Sequence, residues 1–462
     1  MRGTVVRLSL RTFSLAGRAV NDADGLLAPF EGGHCVALLR GGDELFPAMV
    51  RAIEAARSEV WLATYIFNDD PAGRQVVQAL RSAAGRGVQV RMVVDGFGCN
   101  GRVAALRRQL QGSAVSLEVF RSLERWWAWT QPSQLRRMHH KLCAVDGALA
   151  FVGGINVVDD RFDVQHGWVD EPRLDFAVQV EGHVAAEVQR LIHALWTRAH
   201  MGRGWREEVV QLAQSPEPVQ RTVQLLREMR TRAPHMPHRL REQRWRWREW
   251  LRGDRVAGAP LETGFQLAAA NPVQVALVVR DNVTHRRAIE RAYVEAIGQA
   301  RERIDIACSY FYPGRAFRRA LRRAAARGVR IRLLMQGKID YRLAGLAARV
   351  LYDELLSRGI RIYEYTPAFL HAKVAVVDGR WATVGSSNID PLSLLLNLEA
   401  NVVVLDERFA ADLGTQLEQA FAVSQQVIAA PVRPGPRGWL MRGLVAWLAN
   451  VYLRAAGITG RY

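Results

Sequence analysis

The chain has 462 residues, too many for one ordinary hydrophobic core, and this length predicts two domains of about 200 residues each. Apolar residues make up 49% and charged residues 23%, a balance that excludes a disordered or fibrous chain. The formal net charge of +18 indicates an anionic partner, which nucleic acid, an acidic membrane surface or a phosphorylated substrate would each satisfy.

Residues 1–35 are predicted to form a disordered N-terminal arm. The first 20 residues contain no acid, lack the apolar core and cleavage site of a targeting peptide, and carry Arg2, Arg7, Arg11 and Arg18. No window of the chain reaches 18 uninterrupted apolar residues, so the sequence predicts no membrane-spanning helix.

The chain then repeats itself. The segment AIEAARSEVWLATYIF (52–67) parallels AIGQARERIDIACSYF (296–311), and LRSAAGRGVQVRMVVDG (80–96) parallels LRRAAARGVRIRLLMQG (321–337). The first pair is a helix end running into an apolar strand, and the second is a helix with a glycine stop followed by another strand. The repeat predicts two homologous α/β domains, each with a mixed β-sheet flanked by helices.

We place these domains at residues 36–200 and 272–425, with a linker at 201–271. The linker is dense in arginine, is interrupted by prolines and contains Trp245, Trp247 and Trp250. One interpretation is a solvated connector. The other is a segment that rests at lipid headgroups, where indole rings occupy the interface and guanidinium groups bind phosphate.

Residues 426–462 form a C-terminal segment that we predict to contact a membrane. The stretch WLMRGLVAWLANVYL (439–453) has apolar residues at helical spacing. As a helix it would measure roughly 22 Å, short of the ~30 Å hydrocarbon core, which favours a helix lying in the interface. A packed terminal helix is the alternative.

The four cysteines lie far apart, without the Cys-x-x-Cys spacing of a metal or redox site. Each lies in or beside an apolar run: Cys35, Cys99, Cys143 and Cys308. We expect reduced core thiols.

Lysine is rare in this chain. Of 63 basic residues only three are lysine, namely Lys141, Lys338 and Lys373. Guanidinium is a broad planar fork, whereas ammonium is a compact charge that fits a tight pocket against one phosphate oxygen. A position that keeps lysine in such a chain indicates a site that uses this shape.

Two of the lysines belong to a duplicated motif. HHKLCAVDGALAFVGGIN (139–156) and HAKVAVVDGRWATVGSSN (371–388) share the spacing His-x-Lys-x4-Asp-x6-Gly-[Gly/Ser]-x-Asn. Alternate residues of a strand share a face, so each histidine points the same way as its lysine. Two such edges meeting across a pseudo-twofold axis would form one pocket at the domain interface, with two imidazoles and two ammonium groups.

This set of side chains suits phosphoryl transfer without a metal or another cofactor. One imidazole attacks phosphorus to form a phosphohistidine, and the other protonates the departing alcohol. Non-bridging oxygens would be held by Lys141, Lys373, Asn156 and Asn388. The sequence shows no Asp/Glu/His cluster with metal-ligand spacing.

With these motifs the chain resembles the phospholipase D superfamily, from about residue 36 to 425. Within it the chain is most similar to the bacterial cardiolipin synthases, and closest to their type B branch, through stretches such as LDFAVQVEG and WATVGSSNIDPLSLLLNLEANV. The resemblance implies a phosphatidyltransferase that joins phospholipids, commonly two phosphatidylglycerols with release of glycerol.

The resemblance also implies roles for single residues. His139, Lys141 and Asp146 match the first catalytic motif, and His371, Lys373 and Asp378 the second. Asp175 and Glu399 lie where the family has carboxylates, and we expect them to orient the imidazoles. Asp146 and Asp378, each followed by glycine, have a second interpretation as turn residues.

The implied partners are an anionic phospholipid membrane and phosphatidylglycerol or another phospholipid, with no nucleic acid. The implied location is the bacterial cytoplasmic membrane, bound peripherally, because the type B branch lacks a membrane-spanning leader. Three other functions remain: a phospholipase that uses water as acceptor, a nuclease, and a membrane-binding scaffold without activity. The motifs alone do not separate transfer from hydrolysis.

Overall fold

The computed structural model describes residues 31–122, 136–163, 166–213, 273–281, 285–338, 351–390, 393–394 and 397–428. The first half, here lobe 1, consists of β1 (Glu31–Arg40), α1 (Gly41–Ala55), β2 (Glu59–Thr64), α2 (Pro71–Gly85), β3 (Gln89–Asp95), α3 (Val103–Leu110), β4 (Ser116–Phe120), β5 (Lys141–Val145), β6 (Leu149–Gly153), β7 (Phe162–Asp163), β8 (Gly167–Trp168), β9 (Phe176–Glu181) and α4 (His183–Ala213). The second half, here lobe 2, consists of β10 (Val273–Arg280), α5 (Ala288–Gln299), β11 (Arg303–Cys308), α6 (Arg315–Ala326), β12 (Arg330–Gln336), α7 (Tyr352–Leu356), β13 (Arg361–Tyr365), β14 (Lys373–Val377), β15 (Trp381–Gly385), β16 (Glu399–Leu405), α8 (Glu407–Ala422) and β17 (Gln425–Gln426).

Local signals in the sequence account for the ends of several helices. The Asp70 side chain accepts a hydrogen bond from the Gly73 N–H, and Pro71 opens α2, as expected at a helix N-terminus. Just beyond α2 and α6 the chain turns at Gly87 and Gly328, whose φ angles are 89° and 86°. These are the predicted glycine stops, since glycine adopts positive φ without steric cost.

Fifteen strands form one mixed sheet in the order β17-β13-β12-β11-β14-β15-β16-β10-β1-β9-β6-β5-β2-β3-β4. Read outwards from β1 and from β10, the two halves have the same order of equivalent strands. β1 and β10 pair antiparallel at the junction, as a pseudo-twofold axis requires. The sheet of lobe 1 therefore continues directly into that of lobe 2.

The lobes also share a hydrophobic core. β6 contacts β15 and β16, and the inner faces of both half-sheets pack with α4 and α8 in one cluster of buried side chains. The outer face of lobe 1 is covered by α1, α2 and α3, and that of lobe 2 by α5, α6 and α7. The central strands β5 and β14 are buried along their whole length, which is why they read as continuous apolar runs.

The prediction of two homologous α/β domains is confirmed, and their boundaries differ in detail from those predicted. Residues 31–35, assigned to the arm, belong to β1 because Glu31 and His34 pair with β10. Residues 201–213, assigned to the linker, continue α4, where no proline interrupts the helix. The arm before residue 31, residues 214–272 with their tryptophans, and the predicted terminal helix at 439–453 lie outside the described residues.

None of the described helices is both long and apolar enough to cross a bilayer. None of the four cysteines forms a disulfide, and Cys99, Cys143 and Cys308 are buried as predicted, whereas Cys35 in β1 is only partly covered. Burial raises the pKa of each of the three buried thiols to about 12, so they stay protonated.

Candidate active site

The segments that lead into the two motif strands dock on the opposite lobes. Backbone bridges join Met138 to Leu398 and Leu174 to Leu370. The His139 N–H donates to the Leu398 carbonyl at 3.0 Å, and the His371 N–H donates to the Leu174 carbonyl at 2.9 Å. Both histidines therefore lie at the seam between the lobes.

Each imidazole is held by a carboxylate from the other lobe. His139 Nδ1 lies 3.0 Å from Glu399 Oε2, and His371 Nδ1 lies 2.6 Å from Asp175 Oδ2. The carboxylates are 0% and 1% exposed, whereas the His139 and His371 side chains are 12% and 23% exposed. With Nδ1 engaged, Nε2 is the nitrogen available to a substrate in the opening.

The motif lysines lie beside the histidines. Lys141 Nζ donates to the His139 carbonyl oxygen at 2.7 Å, and Lys373 Nζ donates to the carbonyl oxygen of His371. Burial lowers the pKa of Lys141 to about 7, against the opposing effect of Glu399. Burial lowers the pKa of Lys373 to about 8, against Asp175. A phosphate anion between these ammonium groups would restore their charge.

Burial also favours the neutral form of both imidazoles. It lowers the pKa of His139, which Glu399 acts to raise and Lys141 to lower further. Burial lowers the pKa of His371 well below its usual range, with added contributions from Lys373 and from charges of lobe 1, including His139. The effects of Lys373 on His139 and of Lys141 on His371 show that the charges of the two lobes act across the seam, because Coulomb interactions weaken with distance.

The two histidine–carboxylate pairs are not equivalent. Burial raises the pKa of Asp175 to about 7, although Lys373 opposes this. Burial acts in the same direction on Glu399, yet His139, Lys141 and a 2.6 Å hydrogen bond from the Ser386 hydroxyl hold the pKa of Glu399 below its usual range. Lobe 1 has Gly154 at the position of Ser386, where a Cβ would lie 2.3 Å from Asp175 Oδ1.

Two further polar residues position the histidine segments, and neither was predicted from the sequence. Asp95 at the end of β3 accepts a hydrogen bond from the Met138 N–H at 2.9 Å. Gln336 at the equivalent end of β12 accepts one from the Leu370 N–H at 2.7 Å. Each bond fixes the residue directly before a motif histidine. The signal was present in the repeated segments ending in VVDG and LMQG, where polar residues close two apolar strands.

The wall around His139 is aromatic. The edge of Tyr65 meets the imidazole with ring centroids 4.7 Å apart, and Lys141 Nζ lies 5.3 Å from the same ring centroid. The bridges of Phe67 with Val157 and of Phe311 with Ile389 show that Ser309 is the equivalent of Tyr65 in lobe 2. Ser309 is buried, and its hydroxyl makes no hydrogen bond within the described part of the chain. The two sides of the pocket thus differ in shape and polarity.

The motif asparagines are buried at the ends of the hairpins. The side-chain oxygen of Asn156 accepts from the Ile66 N–H at 3.2 Å, and that of Asn388 lies 3.8 Å from Cys308 Sγ. Each amide oxygen is therefore engaged within its own lobe. The NH₂ group is the end that could reach a phosphate oxygen.

Asp146 and Asp378, for which the sequence left a catalytic and a turn role open, lie away from the motif histidines. Each lies at the other end of its motif strand, and for Asp146 this is roughly 16 Å from Lys141 at ~3.3 Å per residue. Asp146 accepts hydrogen bonds from the N–H groups of residues 57–59 and from the Ser58 hydroxyl, and Asp378 accepts from the N–H groups of residues 301–303. Their φ angles of 52° and 49° are those of turn residues. This geometry favours the turn interpretation, and the catalytic role is open to the test below.

Replacing Asp146 by alanine is expected to lower the free energy of unfolding by about 2–3 kcal/mol, because several charge-assisted hydrogen bonds are lost. These bonds outweigh burial and hold the pKa of Asp146 below its usual range. The contribution is therefore complete above the unfolded pKa of about 4 and disappears as the pH falls through the lower folded value. Thermal unfolding of parent and variant from pH 7 to pH 3 measures this.

The same variant should keep kcat within about twofold of the parent per folded molecule, since the pocket is distant. A variant that melts like the parent but is inactive would return Asp146 to the catalytic set.

Comparison with known proteins agrees with this geometry. The family model "Cardiolipin synthase, PLD-like domain" matches residues 49–196 and 293–421. "Cardiolipin synthase B" of Escherichia coli is 33% identical over 407 residues, covering 88% of this chain and 85% of that protein. "Cardiolipin synthase A" of Pseudomonas fluorescens is 30% identical over 85% of this chain and 69% of that protein.

Among solved structures, phosphatidylserine synthase of Haemophilus influenzae aligns with a TM-score of 0.58 at 12% identity, covering 91% of this chain and 95% of the other, which shows a shared fold. Fold and site together define an enzyme of the phospholipase D superfamily. Within that superfamily the chain belongs to the cardiolipin synthase family.

Proposed function

We propose that this protein synthesises cardiolipin by moving a phosphatidyl group from one phospholipid to the hydroxyl of a phosphatidylglycerol, through a phosphohistidine. The observation that carries the proposal is the pair of histidines at one seam, each held by a carboxylate of the opposite lobe and flanked by a lysine. Each histidine–carboxylate pair takes one residue from each lobe, so neither lobe contains a complete pair by itself.

In the first half of the reaction, Nε2 of one histidine attacks phosphorus of the donor, for which phosphatidylglycerol is our choice. The phosphorus–oxygen bond to the headgroup breaks, and the second imidazole, in its protonated form, donates a proton to the departing glycerol oxygen. In the second half, the same imidazole takes the proton of the acceptor hydroxyl. The acceptor oxygen attacks phosphorus, the phosphorus–nitrogen bond breaks, and the first histidine is restored.

The remaining polar residues of the pocket serve charge and orientation. Lys141 and Lys373 would stabilise the negative charge that builds on the non-bridging oxygens, with the NH₂ groups of Asn156 and Asn388 beside them. Glu399 and Asp175 hold the proton on Nδ1 of the imidazoles, so that Nε2 carries the lone pair required for attack.

The substrate is a phospholipid, and the protein would work at the surface of the bacterial cytoplasmic membrane as a peripheral enzyme. The net charge of +18 supports binding to anionic lipids. Hydrolysis is the second candidate, because the phosphohistidine is equally open to water. The family membership favours transfer.

Thin-layer chromatography of lipids after incubation with phosphatidylglycerol vesicles tests the proposal. Cardiolipin and free glycerol are the expected products. Phosphatidic acid as the sole product would favour hydrolysis, and unchanged lipid together with cleavage of added DNA would favour a nuclease. The His139→Ala protein, purified in the same way, controls for contaminating lipases.

A further inference from the structure

The third lysine of the chain also lies beside the active site. Lys338 follows Gln336, whose side chain accepts the hydrogen bond from Leu370, the residue before His371. Its Nζ donates to the Pro367 carbonyl at 2.9 Å and lies 5.8 Å from the ring centroid of Phe369. Phe369 precedes His371 by two residues, about 7 Å along an extended chain. All three lysines of an arginine-rich protein therefore gather at one seam.

Lys338 differs from the residue at the equivalent position of lobe 1, as the pseudo-twofold axis shows. Asp95 and Gln336 are equivalent, so Lys338 corresponds to Phe97, and Phe369 corresponds to Arg137. Lobe 1 also pairs a cation with a ring here, since the Arg137 guanidinium lies 5.2 Å from the Phe97 ring centroid. The roles are exchanged, however: Arg137 is 7% exposed, whereas Lys338 is exposed. A compact, solvent-accessible cation thus stands on the His371 side.

Residues of both lobes form a rim beside the pocket. We define this rim by Lys338 and Phe369 of lobe 2 and His166 and Arg173 of lobe 1. The ring of His166, from the β7–β8 hairpin, packs on Phe369 with centroids 5.3 Å apart. Arg173 lies close enough to contribute to the lowered pKa of His371, but it also approaches Asp163 at 3.6 Å. The described hydrogen bond of Lys338 is to a neutral carbonyl, so that contact neutralises none of its charge.

We infer that Lys338 binds the phosphate of the acceptor phospholipid, and so selects a phosphatidyl acceptor over water or a simple alcohol. This inference rests on the proposed function. In that reaction the central pocket holds one phosphate, the one being transferred. The acceptor brings a second phosphate, separated from the attacking hydroxyl by a glycerol unit, and this phosphate must lie outside the histidine pair. An ammonium group at the rim is positioned to bind it.

The two halves of the reaction allow a selective test with Lys338→Met, which removes the charge and keeps a side chain of similar length over Phe369. Exchange of labelled glycerol into phosphatidylglycerol reports only the donor half and uses an acceptor without phosphate. Cardiolipin formation from the same vesicles requires the second phosphate. We expect the rate of glycerol exchange to stay within about twofold of the parent. Cardiolipin formation should be about tenfold lower, because the KM for the acceptor rises. A tenfold change corresponds to the loss of one ion contact of ~1.4 kcal/mol.

Arg330→Met is the matched control, because Arg330 is an exposed cation at the opposite end of β12 and its loss changes the net charge equally. It should leave both activities at the parental level. Equal losses of exchange and cardiolipin formation in Lys338→Met would overturn the inference, as would no loss of either. A parent protein that neither exchanges glycerol nor forms cardiolipin would overturn the proposed function and this inference together.

Discussion

Alanine at either His139 or His371 is expected to abolish phosphatidyl transfer, with kcat falling by about 10³-fold or more, because a nucleophile and a proton donor are both needed. The two variants should differ in the covalent intermediate. With a donor labelled in its phosphatidyl group, the variant that lacks the nucleophile forms no labelled protein. The variant that lacks only the acid accumulates label slowly on the remaining histidine. Quenching in alkaline denaturant and mass spectrometry of the peptides identifies that residue.

His183→Ala is a suitable control for this experiment. His183 begins α4, is 52% exposed and lies outside the seam, so its loss should leave turnover unchanged. Near-parental activity in either His139→Ala or His371→Ala would contradict a shared pocket, because a complete reaction would then need one histidine only.

The second large effect is expected from Glu399→Gln and Asp175→Asn, each of which should lower kcat/KM by about 10²-fold or more. Each amide keeps the size of the side chain and removes the negative charge that stabilises an imidazolium in the opposite lobe. Loss of that charge lowers the pKa of the paired histidine. The dependence of kcat/KM on pH is bell-shaped when one histidine must be neutral and the other protonated.

One of these two variants should therefore move the acidic limb of the pH profile to lower pH, and the other the alkaline limb. If Glu399→Gln moves the acidic limb, His139 is the histidine that must be neutral; if it moves the alkaline limb, His139 is the one that must be protonated. Asp175→Asn assigns the role of His371 in the same way. Glu118→Gln serves as control. Glu118 Oε1 lies 2.8 Å from His200 Nδ1, and this pair is remote from the seam. If neither limb moved in either variant, the carboxylates would have no part in setting the protonation of the imidazoles.

Much of the site followed from spacing within the sequence. The repeated His-x-Lys predicted that each histidine shares a face with its lysine, and a duplicated motif predicted a seam between two lobes. The helix–strand repeat and its glycine stops predicted the α/β fold. Strand length was also informative for Asp146, because β5 begins at Lys141 and ends directly before Asp146, which places these two residues at opposite ends of the strand.

Contacts between the lobes could not be predicted from residue spacing. Periodicity shows which residues of a strand share a face, but it does not show which strand of another lobe that face meets. The sequence therefore suggested that Asp175 and Glu399 orient imidazoles without showing that Asp175 serves His371 and Glu399 serves His139. The hydrogen bonds of Asp95 and Gln336 to Met138 and Leu370 depend in the same way on long-range packing.

The exchange of carboxylates between the lobes restricts how the enzyme can move. If the lobes separated like jaws, both histidines would lose their partners in the same motion, and neither would be ready to react. Substrate binding must therefore leave the two lobes in contact, and either lobe expressed alone would lack the carboxylate that holds its own motif histidine.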